Sequence, residues 1–220
     1  MELTVLAASG ATGLELTSQA LERGHTVTAI ARTPDRITVA DSPRLIRVAA
    51  DVRDPRSIAA ALAGQKTVLS GLGVASGDRP GTLTAGARAV VAALPQQAIW
   101  LGAYGTGPSA GVAGAATRTL VKMMGAELTD KVTADAAILS AGGTVFHAGP
   151  LSNGPLSSTR RTVGLDEAPK RFFPARVSRA TVAAAMLDEA ENPAYPGTVA
   201  IPLERWAGAT EPPGNRDRLR

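Results

Sequence analysis

Ser9-Gly10-Ala11-Thr12-Gly13 stands between an apolar run, LTVLAA (3–8), and a helical stretch. Glycines in that setting suit a phosphate. Gly10 permits a tight turn, Gly13 lets a pyrophosphate approach the backbone, and the helix that follows points N–H groups and its positive dipole end at the phosphate. Counted from Gly10, the third glycine of a G-x-x-G-x-x-G fingerprint falls on Leu16, which demands more room between helix and strand. Glu15 adds a carboxylate that repels a pyrophosphate unless it points away. Arg32 closes the second strand, about 20 residues past the glycines, where an acidic residue would bind the ribose 2′-OH of NAD. An arginine there suits the 2′-phosphate of NADP, with Thr33 and Arg36 in support. The alternative for Arg32 is an ordinary surface side chain.

Two residues are placed for proton transfer. Tyr104 lies in GAYGTGPSAGV (102–112), a Gly-rich loop after the fifth strand, and is the best donor or substrate clamp. His147 lies near the carboxyl end of the sixth strand, where an imidazole can face a pocket. Their bland alternatives are a packing aromatic at a loop mouth and a satisfied core histidine. His25, after a helix cap, reads as structural. Two His, no Cys and dispersed carboxylates form no metal constellation. The lack of cysteine excludes disulfides and thiol chemistry, and the lack of a Gly-x-Ser-x-Gly elbow disfavours a hydrolase.

The elements that must position these residues alternate. Strands are expected at 3–8, 25–31, 44–50, 66–73, 97–102, 143–149 and 197–202. Helices are expected at 13–23, closed by Gly24, at 55–63 behind Pro55, at 82–94, and at 178–190. A longer helix is expected over 113–140, from Val121, Met124, Leu128 and Val132 at helical spacing. This alternation predicts a single-domain α/β fold with a doubly wound, mostly parallel sheet of Rossmann type and right-handed crossovers. The domain is expected to span 1–203, with substrate loops at 102–112 and 151–175. Residues 204–220, rich in turn formers and charge, read as a mobile tail.

With 220 residues, 45% of them hydrophobic and 19% charged, the chain is globular. Its pI near 10.0 comes from a formal charge of only +4, spread along the sequence, so nucleic-acid binding is not expected. No apolar run approaches ~20 residues, so no membrane span is expected. Met1 leads straight into a strand without a basic leader, which makes the cytoplasm the expected location. The Ala- and Arg-rich composition suggests a GC-rich bacterial source.

SGATG…ALERGHTVTAIAR, AADVRDPRSIAAALAG and the Gly-Leu-Gly after the fourth strand resemble atypical short-chain dehydrogenases of the NAD(P)-binding, NmrA-like group. The small flavin and biliverdin-IXβ reductases are neighbours of that group. The resemblance implies that Gly10, Ala11, Thr12, Gly13 and Leu14 wrap the pyrophosphate and that Arg32 holds the 2′-phosphate. It places Asp51 and Val52 beside the adenine, and Gly71, Leu72 and Gly73 beside the ribose. Asp51 also suits the start of a turn before Pro55. The chain departs from the group's main catalytic pattern, a Ser after strand five and Tyr-x-x-x-Lys on the next helix. Leu101-Gly102-Ala103 carries no hydroxyl, and the Tyr-x-x-x-Lys positions read Glu127 to Lys131. Lys131 is therefore either the catalytic lysine or half of a surface i, i+4 pair with Glu127. HAGPLSNG (147–154) and SRATVA (178–183) resemble later motifs of the group, with Thr181 in place of an Asp.

These observations lead to an NADP-dependent oxidoreductase that reduces a small planar or carbonyl-containing molecule. Two alternatives stay open: a non-catalytic NADP sensor, and a non-redox cyclase or isomerase that reuses the cleft. The sequence sets no oligomeric state.

Overall fold

The structure, a computed structural model, describes residues 1–74, 79–123, 125–169 and 173–204. Its frame is an eight-stranded sheet built on β1 (Glu2–Leu6), β2 (Thr26–Ala31), β3 (Leu45–Ala49), β4 (Thr67–Ser70), β5 (Gln97–Ala103) and β6 (Thr144–Ala148). Two short strands, β7 (Leu151–Ser152) and β9 (Val177–Ser178), pair in parallel as a separate ribbon. β8 (Arg161–Val163) and β10 (Val199–Leu203) complete the main sheet, whose order is β3-β2-β1-β4-β5-β6-β10-β8. All its pairings are parallel except β10 with β8. Strand order reverses between β1 and β4, and that is where such sheets open a crevice for ligands.

Among the described residues six α-helices cover the sheet: α1 (Ala11–Glu22), α2 (Pro55–Leu62), α3 (Thr82–Ala92), α4 (Ala115–Lys122), α5 (Ala126–Ser140) and α6 (Arg179–Glu191). One apolar layer joins Leu16, Ala20 and Leu21 of α1 with Val182, Ala183, Met186 and Leu187 of α6 beneath β1, β2 and β6. A second joins Ile58, Leu83, Val90 and Ile138 with Trp100 on the other face. With aromatics at only 3%, the α1–α6 contact is made by aliphatic side chains and alanines. The expected α/β doubly wound, mostly parallel sheet is therefore present.

Two expectations are corrected. The single helix expected over 113–140 is two helices, broken at Gly125 (φ 57°, ψ −127°), a backbone conformation that side chains strongly disfavour. Val121 thus belongs to α4 while Leu128 and Val132 belong to α5, and Met124 lies outside the described residues. The stretch 151–175, read as loop, carries β7 and β8, and β8 extends the main sheet as its antiparallel edge. Of the expected tail only Glu204 is described, and it is tied down: Ser178 donates to its Oε1 from the backbone N–H (2.9 Å) and from Oγ (2.7 Å).

Candidate functional site

β1 ends in a turn rather than running on. Ala7 takes a left-handed conformation (φ 61°), and the Gly10 N–H donates to the Ala7 carbonyl at 3.0 Å. Gly10 then begins α1 with no side chain capping the helix, so backbone N–H groups at its first turn face the crevice. Gly13 does a different job from the one expected of it. A Cβ there would collide with the Ala7 carbonyl and come within 2.7 Å of the Ala8 Cα, so its glycine is what lets α1 press onto β1. Gly71, at the end of β4, completes the close approach: a Cβ there would stand 3.1 Å from the Gly13 nitrogen.

The fingerprint is thus positions 7, 10 and 13, with Ala7 where the first glycine belongs. Leu16 is not its third member; it is fully buried core. Glu15 points away from the crevice, accepts from the Gln19 side chain at 3.1 Å, and borders a separate surface hollow with Ser18 and Glu22. Neither residue obstructs the phosphate position.

A cleft of about 590 Å³ runs along the carboxyl ends of the strands, within the size range of small-molecule sites. Gly10, Ala11, Thr12, Arg32, Asp51, Val52, Gly71, Leu72 and Gly73 all line it, joined by Ser9, Arg36, Arg53 and Thr82. Two members of the expected set do not. Gly13 is buried under the turn, and Leu14 packs its side chain against the α1–α6 core. Arg32, just past the end of β2, and Arg36, in the turn that follows, both line the cleft and are basic groups suited to a phosphate. Asp51 combines both roles foreseen for it, lining the cleft while its Oδ1 accepts from the Arg53 N–H at 2.9 Å. Arg53 reaches across to the Arg79 carbonyl (3.1 Å) and Thr82 Oγ1 (2.9 Å), which closes the cleft wall on that side.

At the other end the walls are Leu101, Gly102, Ala103, Ala148, Gly149 and Leu151, with Glu127, Lys131 and Arg179 as the charged groups. Lys131 Nζ lies 3.3 Å from Glu127 Oε1, so the i, i+4 pair expected on α5 exists and faces the cleft.

The other two proton-transfer candidates lie elsewhere. Tyr104 borders a small separate hollow with Pro169, Pro174 and Leu203, and its hydroxyl donates to the Val112 carbonyl at 3.2 Å. His147 is fully buried. Its Nδ1 meets Ser109 Oγ at 2.6 Å and its Nε2 meets Asp135 Oδ2 at 3.1 Å, so both ring nitrogens are satisfied inside the protein. Ser109 is itself buried, accepts from the Gly105 N–H and bonds the Thr106 carbonyl, which makes this trio a clamp on the loop after β5.

Sequence reasoning passed over Ser9, Arg53 and Arg179. Ser9 stood inside the glycine turn, Arg53 inside AADVRDPRSIAAALAG and Arg179 inside SRATVA, so position gave a signal for all three. Among the described residues no group of three or more His, Cys, Asp or Glu is arranged to hold a metal ion, and no helix is long and apolar enough to cross a membrane.

Known proteins agree with this arrangement. A Burkholderia pseudomallei protein described as exported superposes with a TM-score of 0.70 at 25% identity, over 92% of this chain and 98% of its own. The anaerobillin reductase ChuY from Escherichia coli O157:H7 gives a TM-score of 0.73 at 18% identity, covering 96% and 100%. A short-chain dehydrogenase/reductase from Veillonella parvula, solved in complex with NADP, gives 0.76 at 18% identity, covering 92% and 94%. The last two likenesses speak for the fold. The sequence itself matches the NAD(P)H-binding family over residues 7–193, from the turn that ends β1 to just past α6, and the chain therefore belongs to the NAD(P)H-binding family.

Proposed function

We propose that the chain is an NADPH-dependent reductase of a small planar or carbonyl-containing molecule. The observation that carries the reading is one cleft with a phosphate-binding turn at its middle, Arg32 and Arg36 at one end and Lys131 at the other. The residues fit the cofactor at each point. The uncapped first turn of α1 receives the pyrophosphate, and the two guanidiniums receive a 2′-phosphate that NADH lacks. When bound, the dinucleotide supplies a hydride.

The protein's own part is modest. Leu101, Ala148 and Leu151 exclude water from the reacting end. Lys131 holds a proton on Nζ there, oriented by Glu127, and can pass it to an oxygen or nitrogen that gains the hydride's electrons. Tyr104 and His147 take no part in this scheme, because their polar atoms are bonded outside the cleft. ChuY and the NADH-flavin reductase relative of Streptococcus pneumoniae, which superposes at TM-score 0.73 and 19% identity, are both described as reductases, in keeping with this chemistry.

Calorimetric titration with NADPH and NADH, on the native protein and on Arg32→Ala, tests the proposal. NADPH is expected to bind more tightly, and Arg32→Ala to weaken NADPH by at least tenfold while leaving NADH nearly unchanged; a hydrogen bond between a guanidinium and a phosphate is worth about 1.5–3 kcal/mol. Binding of neither dinucleotide would overturn the reading. One observation favours the sensor as second reading: apart from Lys131 and Glu127, no acid–base group among the described residues except Arg179 faces the reaction end. NADPH binding without turnover on flavins, quinones and aldehydes would select it. The non-redox alternative loses its support, since Leu16 and Glu15 do not disturb the phosphate turn.

A further inference from the structure

The charge at the reaction end of the cleft is unevenly matched. Lys131 has a carboxylate beside it in Glu127. Arg179, the first residue of α6, has none: among the described residues no Asp or Glu lies within ion-pair distance of it. Its described partner is the neutral amide of Asn153, with Nη1 donating to Oδ1 at 2.6 Å. A guanidinium carries five N–H donors, so most remain for a ligand.

The chain builds this position with care. β7 and β9 pair Ser152 with Ser178, their last residues, and the chain then leaves the ribbon at Asn153 on one side and enters α6 at Arg179 on the other. Leaving a paired position together, the two side chains meet, and the Asn153 amide holds the guanidinium. Ser178 is anchored on Glu204 and its Oγ accepts from the Thr181 N–H, which fixes the backbone from which Arg179 projects. That cap also occupies the helix end, so the guanidinium, not the α6 terminus, is the group offered to an anion.

We propose that Arg179, oriented by Asn153, receives an anionic group on the molecule reduced, so that the substrates are planar acids or phosphates rather than neutral carbonyl compounds. The proposal rests on the cleft's reading as an NAD(P)H site. The dinucleotide already meets basic partners at Arg32 and Arg36, some distance along the cleft from Leu151 and Lys131, whose end Arg179 shares. An oxyanion there can nevertheless come from two sources, the substrate or the cofactor's pyrophosphate, and the test separates them.

Two matched pairs serve as probes: FMN against riboflavin, and 4-carboxybenzaldehyde against benzaldehyde. Their binding to the NADP⁺-loaded protein is measured by calorimetry, and NADPH consumption with each is followed by absorbance. The expected result is a preference of about tenfold or more for the charged member of at least one pair, from a charge-assisted contact. Arg179→Gln should abolish that preference, Asn153→Ala should reduce it, and NADPH affinity should stay within about twofold in both. Equal binding of charged and neutral members, or binding of neither while NADP⁺ binds normally, overturns the proposal. A parallel loss of NADPH affinity in Arg179→Gln also overturns it, by assigning the guanidinium to the pyrophosphate. Failure of the native protein to bind NADPH at all refutes the cofactor reading instead, and is seen before any probe is added.

Discussion

Ala7 is the residue on which the phosphate turn depends and the one least suited to it. Its left-handed φ of 61° costs a side chain with a Cβ roughly 1–2 kcal/mol that glycine does not incur. Glycine offsets part of that gain through the greater entropy of its unfolded chain, about 0.4–1 kcal/mol. Ala7→Gly should therefore raise stability slightly, by up to about 1 kcal/mol, read as a higher urea midpoint at unchanged slope. A lower midpoint would mean that the methyl group packs usefully in the turn. The same residue explains why the fingerprint is misread from sequence. Counting from Gly10 puts its third member on Leu16, because an alanine in the first position conceals the motif's true start. The register shows only once the turn geometry and the contact of Gly13 with Ala7 are seen. Arg32 is legible because its place depends on local spacing alone. The surroundings of His147 are not, since Asp135 and Ser109 reach it from a helix and a loop 12 and 38 residues away in sequence.

At the scale of elements, α3 begins without a cap of its own. Gly81 precedes it in a left-handed conformation, and the cap comes from α5: Asp130 accepts from the N–H groups of Gly81 (3.1 Å), Leu83 (3.0 Å) and Thr84 (2.9 Å). Helix starts need such acceptors, and buried N–H groups left bare are costly. Asp130→Ala should destabilise the protein by roughly 2–3 kcal/mol, and should do so by loosening α3. Hydrogen exchange is the direct check, with amides of Leu83 and Thr84 losing protection before those of α1. Uniform loss across both helices would show that Asp130 does not act as a local cap. Such a borrowed cap is invisible in the sequence, whereas Asp54 ahead of Pro55 is plain. The α4–α5 break is hidden for a related reason, because apolar spacing continues across Gly125 while the backbone does not. β8 is hidden because Arg161-Thr162-Val163 is too short to show alternation and acquires its strand only by pairing with β10.

Over the whole molecule, three of the described carboxylates that join elements far apart in the chain have a lowered pKa. Asp130 joins α5 to α3, and Glu204 joins the end of β10 to the start of α6. Glu191 joins α6 to His25 (2.7 Å) and to Arg23 on the end of α1 (3.1 Å). Burial pushes each pKa up, yet their partners outweigh it. Hydrogen bonds from Thr84, Leu83 and Gly81 lower Asp130, the Thr181 and Ser178 groups lower Glu204, and His25 with Arg23 lowers Glu191. A depressed folded pKa means that the unfolded chain binds the proton more readily, so stability rises with pH across this window. The contribution is complete above the ordinary values of 3.8 and 4.5 and disappears as pH falls through the lower folded ones. Tyr195 acts in the opposite sense. Burial and the charges of Glu167, Glu189 and Asp166 raise its pKa, and its hydroxyl donates to the Thr162 carbonyl at 3.1 Å, so its share is lost as pH rises beyond the ordinary value of 10.0. Urea unfolding across pH should therefore give a plateau bounded by an acid and an alkaline decline. Glu204→Gln separates the linkage from general acid damage: the amide keeps an acceptor for Ser178 but cannot titrate, so its stability should be lower at neutral pH and should fall less steeply below pH 4.5. An acid slope identical to that of the native protein would show that the Ser178–Glu204 contact adds nothing to the pH dependence.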